Sequence, residues 1–387
     1  FQQENYGCSL FLVTGIKIIK MKNKKILIFI GSLNIGGTEK QLVKILKYLY
    51  RFFDIQIFTI QEKGILSIEL ESIGIKIVEP KYMKKKNKFF FYFCLILQIF
   101  LHVLKFKPNL IHYYLPHSYL IAGVPLSIFF RIKKIMSRRS LNNYQKKYPL
   151  VRFIEILLHK QMSIVTSNCS AINKQLIEQE FVKKEKVLLI RNGVDIPVLK
   201  KKITKKKIVK ILSIANFIPY KNHQFLIESL GLLSSKLNWE LSLIGKDNFN
   251  YVQKYKNLSE RLGIRSKIKF CGSQKNVTKY LNNSDIGVLT SNEEGCSNSI
   301  LEYMSFSLPV LATNVGGNKD LVEHKRSGYL ISKGDKKSFI DYLTELIENK
   351  NLRVKFGDKG LRIVKEKFSL KELKKNNMKL YEELLNK

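Results

Sequence analysis

The chain is poor in acidic residues and prolines, and it contains no paired cysteine motif. It has 31 Asp and Glu against 68 Lys and Arg, which gives a formal net charge of +37. With 8 prolines and 45% hydrophobic residues in 387, it can bury a sizeable core, and its length favours two or three domains. Odd in number and without metal-ligand spacing, its cysteines indicate neither a disulfide framework nor a zinc site, and we expect a reducing cytosol. They are Cys8, Cys94, Cys169, Cys271 and Cys296.

Neither a leader nor a membrane-spanning segment is expected from two apolar runs. Residues 8–16 are apolar, but they lack a basic region before them and a small-residue cleavage site, so Met21 is the expected start. Residues 89–104 (FFFYFCLILQIFLHVL) are shorter than the roughly 20 residues of a spanning helix and contain Gln98 and His102. They predict either a core helix or a helix on a membrane surface.

The positive charge predicts attraction to polyanions, namely nucleic acid, anionic lipid or phosphorylated substrates, unless it is simply a solvated lysine surface. No recognised nucleic-acid motif appears, so we expect no nucleic-acid partner, although the charge alone allows one. Segment 81–88 (KYMKKKNK) places Lys84, Lys85 and Lys86 beside the apolar run. A basic loop next to an apolar helix is typical of a protein on an anionic leaflet; a solvated loop before a core helix is the alternative.

From residue 25, short apolar runs alternate with amphipathic stretches, which predicts βαβ units and parallel sheets. A run of charged residues at 197–207 predicts a linker. The sequence therefore predicts two doubly wound, Rossmann-like α/β domains, 21–196 and 208–369, with a final helix in 370–387 that can pack back on the first domain. Their ligands should bind in a cleft at the carboxyl ends of the strands. The predicted strands are 26–30, 55–60, 75–78, 110–113, 134–137, 164–166, 187–190, 208–214, 241–244, 268–271, 286–289, 310–312 and 329–331.

Two loops that follow strands carry candidate phosphate contacts. Gly36 and Gly37 precede an amphipathic helix, where small residues let a ligand approach backbone amides at the positive helix end. The dinucleotide spacing G-x-G-x-x-G is absent. Lys221 follows strand 208–214 and could hold a phosphate as a point charge, or it could be an exposed lysine.

A stronger pattern lies in residues 285–306, where a strand, a small polar loop and a helix start predict an anion site. Glu294 and Glu302 flank this loop. Carboxylates beside a phosphate site suit recognition of ribose or sugar hydroxyls. Ser299 and Glu302 also fit the S-x-x-E capping box, which would explain Glu302 but not Glu294.

These residues together resemble a known enzyme family. Residues 294–323 (EGCSNSILEYMSFSLPVLATNVGGNKDLVE) resemble the donor-binding segment of the retaining family-4 glycosyltransferases of the GT-B fold, including their E-x7-E motif. The GGTE at 36–39, the NGVD at 192–195 and Lys221 look like further family elements in the same order. The resemblance extends over about residues 24–385, and its many colinear matches make chance improbable.

The resemblance implies transfer of a sugar, with retention, from a nucleotide-sugar donor, with a UDP-sugar expected. The acceptor would be a glycan or lipid-linked molecule at a cytoplasmic membrane surface. No cofactor or metal is expected, because the family relies on positioning and fixed dipoles and no metal-ligand spacing appears. A GT-B phosphorylase or epimerase is the alternative within the fold.

The resemblance also implies a role for each matching residue. Glu302 would bind the ribose hydroxyls and Glu294 the transferred sugar. Gly36 and Gly37 would bring the first domain against the sugar and the diphosphate. The diphosphate would be neutralised by Lys221 and by the amides of Asn298, Ser299 and Ile300.

The sequence departs from the family pattern at two places. Asn216 stands where the family often has arginine, which removes one positive charge from the diphosphate site. The second place is the family's histidine motif. Here His117 is the preferred contact to sugar or acceptor, and His112 is expected in the core. Arg138 and Arg139 resemble a basic acceptor-side element suited to a lipid phosphate; a surface turn is the alternative.

Overall fold

The first of two α/β domains carries a sheet of seven parallel strands in this computed structural model, which describes residues 23–81, 88–129, 131–198 and 208–386. Along the chain the elements are β1 (Lys25–Ile30), α1 (Gly37–Leu49), β2 (Asp54–Thr59), α2 (Ser67–Glu71), β3 (Lys76–Val78), α3 (Lys88–Phe106), β4 (Leu110–Tyr114), α4 (Leu115–Gly123), β5 (Lys133–Ser137), α5 (Asn143–Lys147), α6 (Pro149–Lys160), β6 (Ile164–Ser167), α7 (Ser170–Glu178) and β7 (Val187–Leu189). The strand order is β3-β2-β1-β4-β5-β6-β7.

The second domain repeats this plan with six parallel strands. Its elements are β8 (Val209–Ile214), α8 (His223–Gly231), β9 (Trp239–Ile244), α9 (Tyr251–Arg261), β10 (Ile268–Phe270), α10 (Thr278–Asn283), β11 (Ile286–Leu289), α11 (Asn298–Ser305), β12 (Val310–Thr313), α12 (Asn318–Leu321), β13 (Gly328–Ile331), α13 (Lys336–Glu348), α14 (Lys350–Lys367) and α15 (Leu370–Leu385). The strand order is β10-β9-β8-β11-β12-β13.

The strands are apolar on both sides because helices cover both faces of each sheet. In β1, Ile26, Ile28 and Ile30 join a core with α1 and α15, while Leu27 and Phe29 join a second core with α3, α4 and α7. All thirteen predicted strands form within a residue or two of their expected bounds. The predicted pair of doubly wound domains is therefore confirmed.

Helix α3, which contains the apolar run, is buried along one side and exposed along the other. Phe91, Leu95 and Ile99 are buried against the sheet, whereas Phe89 and Phe93 on the outer side are 83% and 60% exposed. By length and composition α3 is the one described helix that could cross a membrane. The neighbouring Lys84, Lys85 and Lys86 lie outside the described residues.

Helix α15 returns from the second domain to the first. At the crossing, Val194 N donates to Phe368 O (2.9 Å) and Leu370 N donates to Val194 O (3.1 Å), so the two interdomain passages lie side by side. Farther along α15, the buried Tyr381 hydroxyl is hydrogen-bonded to His112 Nδ1 at 2.8 Å. His112 is a core residue of β4, and burial, with a smaller effect of the nearby Arg139, lowers its pKa well below the ordinary value.

Replacing Tyr381 should test whether its hydrogen bond to His112 anchors α15 to the first domain. Tyr381→Phe leaves His112 Nδ1 buried without its partner, so we expect the free energy of unfolding to fall by about 1–3 kcal/mol. Urea unfolding followed by circular dichroism measures this change. Tyr148→Phe is the matched control, because Tyr148 is half-exposed and its loss should matter by less than about 0.5 kcal/mol. Equal midpoints for both variants would contradict the anchor.

Candidate active site

The predicted ligand site is a cleft between the domains, where loops after strands of both sheets meet. It contains two adjoining cavities of about 320 and 520 Å³. Gly37, Glu294, Cys296 and Asn298 line both, so the cavities are parts of one cleft. The smaller cavity is also lined by Glu302 and Lys221.

Lys221 and Glu294 face each other in this cleft. A short turn, Pro219–Lys221, follows β8, and Asn222 then caps α8 by accepting a hydrogen bond from Phe225 N at 3.4 Å. This turn places Lys221 Nζ 2.6 Å from Glu294 Oε1. Ser291 Oγ donates to the same carboxylate oxygen at 2.7 Å. The two residues are therefore partners of one ion pair.

The start of α11 differs from the capping-box interpretation. The helix begins at Asn298, and its N-cap is Ser297, whose Oγ accepts a hydrogen bond from Ile300 N at 3.3 Å. Ser299 Oγ instead donates to Ile214 O at 2.6 Å, so Ser299 and Glu302 form no capping box. The amide of Ile300 is occupied, which corrects its expected role towards the diphosphate. The amides of Asn298 and Ser299, in the first turn, have no partner within the helix.

Glu302 lies one turn into α11 and borders the smaller cavity. Within the described ranges its carboxylate has no hydrogen-bond donor and no ion-pair partner. Burial raises the pKa of Glu302 above its ordinary value, and the nearby Lys40 and Lys44 of α1 partly oppose that rise. The carboxylate is therefore available to hydroxyl groups of a ligand.

Asn298 joins the two domains through its side chain. Its Nδ2 donates to Gly37 O at 3.2 Å, and its Oδ1 accepts from Asn192 Nδ2 at 2.9 Å and from Gln41 Nε2 at 3.1 Å. Gln41 also exchanges two hydrogen bonds with the backbone of Gly193, at 2.9 and 3.0 Å. The helix start of the second domain is thus held against α1 and the interdomain crossing. Sequence reasoning missed Gln41, because a glutamine within an amphipathic helix carries no motif.

The two glycines at 316–317 support the site loop from behind. Gly316 has a left-handed φ of +50°, and a Cβ there would stand 1.7 Å from Glu294 O. Gly317 N donates to Gly295 O at 2.8 Å. The backbone of residues 316–317 can approach the backbone of Glu294 and Gly295 this closely only without side chains. This explains why both positions are glycine.

Asn216 lines the smaller cavity, but its side chain is hydrogen-bonded to the backbone. Its Oδ1 accepts a hydrogen bond from Lys246 N at 3.0 Å. The same cavity is lined by four described lysines, of which Lys44 pairs with Asp195 and Lys221 with Glu294. Its lysines are Lys40, Lys44, Lys221 and Lys275.

The expectation that Arg138 contacts an acceptor phosphate is wrong. Its side chain is 1% exposed and pairs with Glu155 at 3.2 Å and Glu180 at 2.6 Å. A buried guanidinium must be neutralised by such partners, so it is not available to an acceptor phosphate. Sequence reasoning missed this because neither carboxylate is near Arg138 along the chain.

Of the two remaining candidates, Arg139 lies in the wall of the cleft and His117 does not. Arg139 Nη1 donates to Asn192 Oδ1 at 3.0 Å, and the side chain lines the larger cavity, so it is part of the cleft wall. His117 is exposed and lines neither cavity; its Nδ1 lies 3.9 Å from where a Cβ on Gly31 would stand. Across the part of the chain that the structure describes, no group of three or more His, Cys, Asp or Glu could hold a metal ion.

Comparisons with known proteins give one consistent result. Residues 35–197 match the family model described as Glycosyltransferase Family 4, and residues 195–362 match that described as Glycosyl transferases group 1. The capsular polysaccharide biosynthesis glycosyltransferase CapH of Staphylococcus aureus is 26% identical over 354 residues, 87% of this chain and 94% of that protein. An uncharacterized glycosyltransferase of Haemophilus influenzae is 30% identical over 176 residues, but these are 45% of this chain and 49% of that protein.

The fold is similar to that of a solved structure. The structure of Anabaena HepE in complex with UDP and glucose superposes with a TM-score of 0.81 at 19% identity, covering 93% of this chain and all of that one. Because the two family matches meet at residues 195–197, just before the passage between the domains, they describe the two halves of one enzyme. The chain therefore belongs to the family-4 glycosyltransferases of the GT-B fold that its sequence resembles.

Proposed function

We propose that this glycosyltransferase moves a sugar from a UDP-sugar to a glycan or lipid-linked acceptor, with retention of the anomeric configuration. The observation that carries the proposal is the unpartnered carboxylate of Glu302, which borders the same cavity as Lys221 and the first turn of α11. HepE, which has the same fold, was solved in complex with UDP and glucose, and this supports the choice of donor.

The donor would be held along the smaller cavity. A carboxylate accepts hydrogen bonds only, and Glu302 can take two ribose hydroxyls at once. The diphosphate then lies against the amides of Asn298 and Ser299, at the positive end of α11, and against Lys221. Gly37 leaves room for the donor on the side of the first domain.

Binding would rearrange the ion pair between Lys221 and Glu294. In transfer, the bond between the sugar's anomeric carbon and the diphosphate oxygen breaks, and a new bond forms from that carbon to the oxygen of an acceptor hydroxyl. The proton of this hydroxyl passes to the departing diphosphate. The departing diphosphate gains negative charge, which Lys221 is placed to stabilise in a partly buried site. Glu294 is then free to accept hydrogen bonds from the transferred sugar.

We propose that this charge is handled without a metal ion. Lys40, Lys44 and Lys275 border the cavity together with Lys221, and so supply the positive charge that Asn216 does not. Fixed positive groups and helix dipoles need no reorganisation when the leaving group departs.

The acceptor would enter the larger cavity, on the side of Arg139 and Asn168. A relative in Escherichia coli, 26% identical over 245 residues, is named UDP-Gal:alpha-D-GlcNAc-diphosphoundecaprenol alpha-1,3-galactosyltransferase. That name supports a lipid-linked acceptor, and CapH supports polysaccharide synthesis. The family also favours transfer over phosphorolysis, epimerisation or nucleic-acid binding.

A peripheral position on the anionic inner leaflet of the plasma membrane would suit such an acceptor. The outer side of α3 exposes Phe89, Phe90 and Phe93, and Lys88 is exposed at its amino-terminal end. Exposed apolar side chains flanked by lysines are typical of helices that lie in a membrane interface.

Glu302→Gln should weaken donor binding by about 10-fold or more, because hydrogen bonds to a charged carboxylate are lost. Calorimetric titration with UDP-sugars measures this, with Glu366→Gln on the exposed side of α14 as the control. In the unsubstituted enzyme, donor affinity should fall as the pH drops through the raised pKa of Glu302, since protonation removes the acceptor charge. Glu302→Gln should lose that pH dependence; unchanged affinity in the variant would refute the assignment.

Lys221→Ala should lower kcat by about 100-fold or more, as expected when a group that stabilises a leaving charge is removed. Lys236→Ala, which removes an exposed lysine outside the cleft, should leave kcat unchanged. Turnover should also persist in EDTA if no metal takes part. Similar rates in the two lysine variants would exclude the role given to Lys221.

Membrane attachment is tested with vesicles. Replacing Lys84, Lys85 and Lys86 by Gln should reduce co-sedimentation with anionic vesicles, because each lysine near an anionic surface contributes about 1 kcal/mol. Phe93→Ser should reduce it further by removing exposed apolar area. Undiminished sedimentation of both variants would rule out this surface.

A further inference from the structure

A separate groove of about 800 Å³ lies along one flank of α3 in the first domain. Its wall is mainly apolar and includes Ile77 of β3 and Leu97, Leu101 and Phe106 of α3. Lys25 and Lys76, which also line it, open β1 and β3. The groove therefore reaches the amino edge of the sheet, about 20 Å, or one strand length, from the edge that forms the active cleft.

Four lysines surround the groove, namely Lys25, Lys76, Lys81 and Lys105. None of them forms an ion pair with a carboxylate in residues 23–81, 88–129, 131–198 or 208–386. Lys25 Nζ rests over the ring of Phe106, 5.5 Å from its centre. With Asp54 as the one acidic side chain in the described lining, the groove attracts an anion.

Two polar atoms are buried beside the groove without a hydrogen-bond partner in the described structure. They are Gln56 Oε1 and His102 Nε2, and both side chains line the groove. Burial lowers the pKa of His102, and the charges of Lys76 and Lys105 lower it further, so the ring is neutral at pH 7. Buried polar atoms normally have partners, so these two atoms leave the floor of the groove short of hydrogen bonds.

The groove opens onto an apolar surface. Leu97 and Leu101, which line it, are 49% and 56% exposed and continue the exposed row of Phe93 on α3. On the same side of the sheet, Leu150 and Phe153 of α6 are also exposed. An alkyl chain can thus pass from this surface into the groove without crossing a polar barrier.

We propose that the groove binds one anionic phospholipid, with its phosphate near Lys25, Lys76 and Lys105 and an acyl chain along Leu97 and Leu101. The positive charge favours an anion, and the apolar wall favours an alkyl chain. A phospholipid whose head group has a net negative charge meets both requirements. The site is distinct from the donor and acceptor cavities and does not depend on the roles given to them.

The test is calorimetric titration of the full chain with a short-chain lysophosphatidylglycerol, kept monomeric so that no vesicle surface is present. We expect one saturable site. Leu101→Gln should weaken binding at least 10-fold, and Lys76→Ala with Lys105→Ala should do the same. Leu104→Gln is the matched control, since Leu104 lies on the same helix, is 46% exposed and does not line the groove.

Three further ligands separate the sources of affinity. Glycerol 3-phosphate carries the head without the chain, lysophosphatidylcholine carries a zwitterionic head, and dodecyl maltoside carries a chain without charge. Each should bind at least 10-fold more weakly than lysophosphatidylglycerol. Equal binding of glycerol 3-phosphate would mean a plain phosphate site, and equal binding of dodecyl maltoside would mean simple apolar adsorption; either result overturns the proposal. Equal affinity in Leu101→Gln and Leu104→Gln would also overturn it.

Discussion

The side-chain amide of Asn298 is the contact on which the geometry of the cleft depends. It donates to Gly37 and accepts from Asn192 and Gln41, so one residue connects the first helix of the first domain, the interdomain crossing and the start of α11. An amide can do this because it offers both donors and an acceptor. As a result, the positive end of α11 faces the first domain at a set distance, and a ligand bound there contacts both domains.

The same region shows how burial decides what a charged residue can do. Arg138 and Lys221 both follow strands, and both carry a positive charge that suits phosphate. Arg138 is enclosed with Glu155 and Glu180, which neutralise it. Lys221 pairs with Glu294 in a cavity open to ligands, and that pairing can be exchanged for others. Only the second arrangement leaves a charge available for binding.

Helix α3 shows a comparable division within one element. Its inner residues, such as Leu95, pack on the sheet, and its outer residues, such as Phe93, remain exposed. The apolar composition is therefore needed on both sides, for the core and for the proposed membrane surface. The groove beside α3 extends that surface towards the amino edge of the sheet, away from the active cleft.

Most of the fold could be predicted from sequence, because strands buried on both faces are continuous apolar runs with turns between them. The site loop was found because Glu294, Glu302 and Lys221 belong to motifs with regular positions beside strands and helix starts. Gln41 and the role of the Asn298 side chain could not be found in this way. Their partners lie far along the chain, and no local pattern marks them.

The sequence by itself determined the two doubly wound domains and the family, since these follow from local periodicity and colinear motifs. The tertiary structure alone decided that Ser297, not Ser299, caps α11, and that Arg138 is neutralised by Glu155 and Glu180. It also decided that Glu302 is unpartnered and that α15 packs on the first domain. These outcomes depend on which distant groups meet in three dimensions, and burial and pairing are properties of that arrangement.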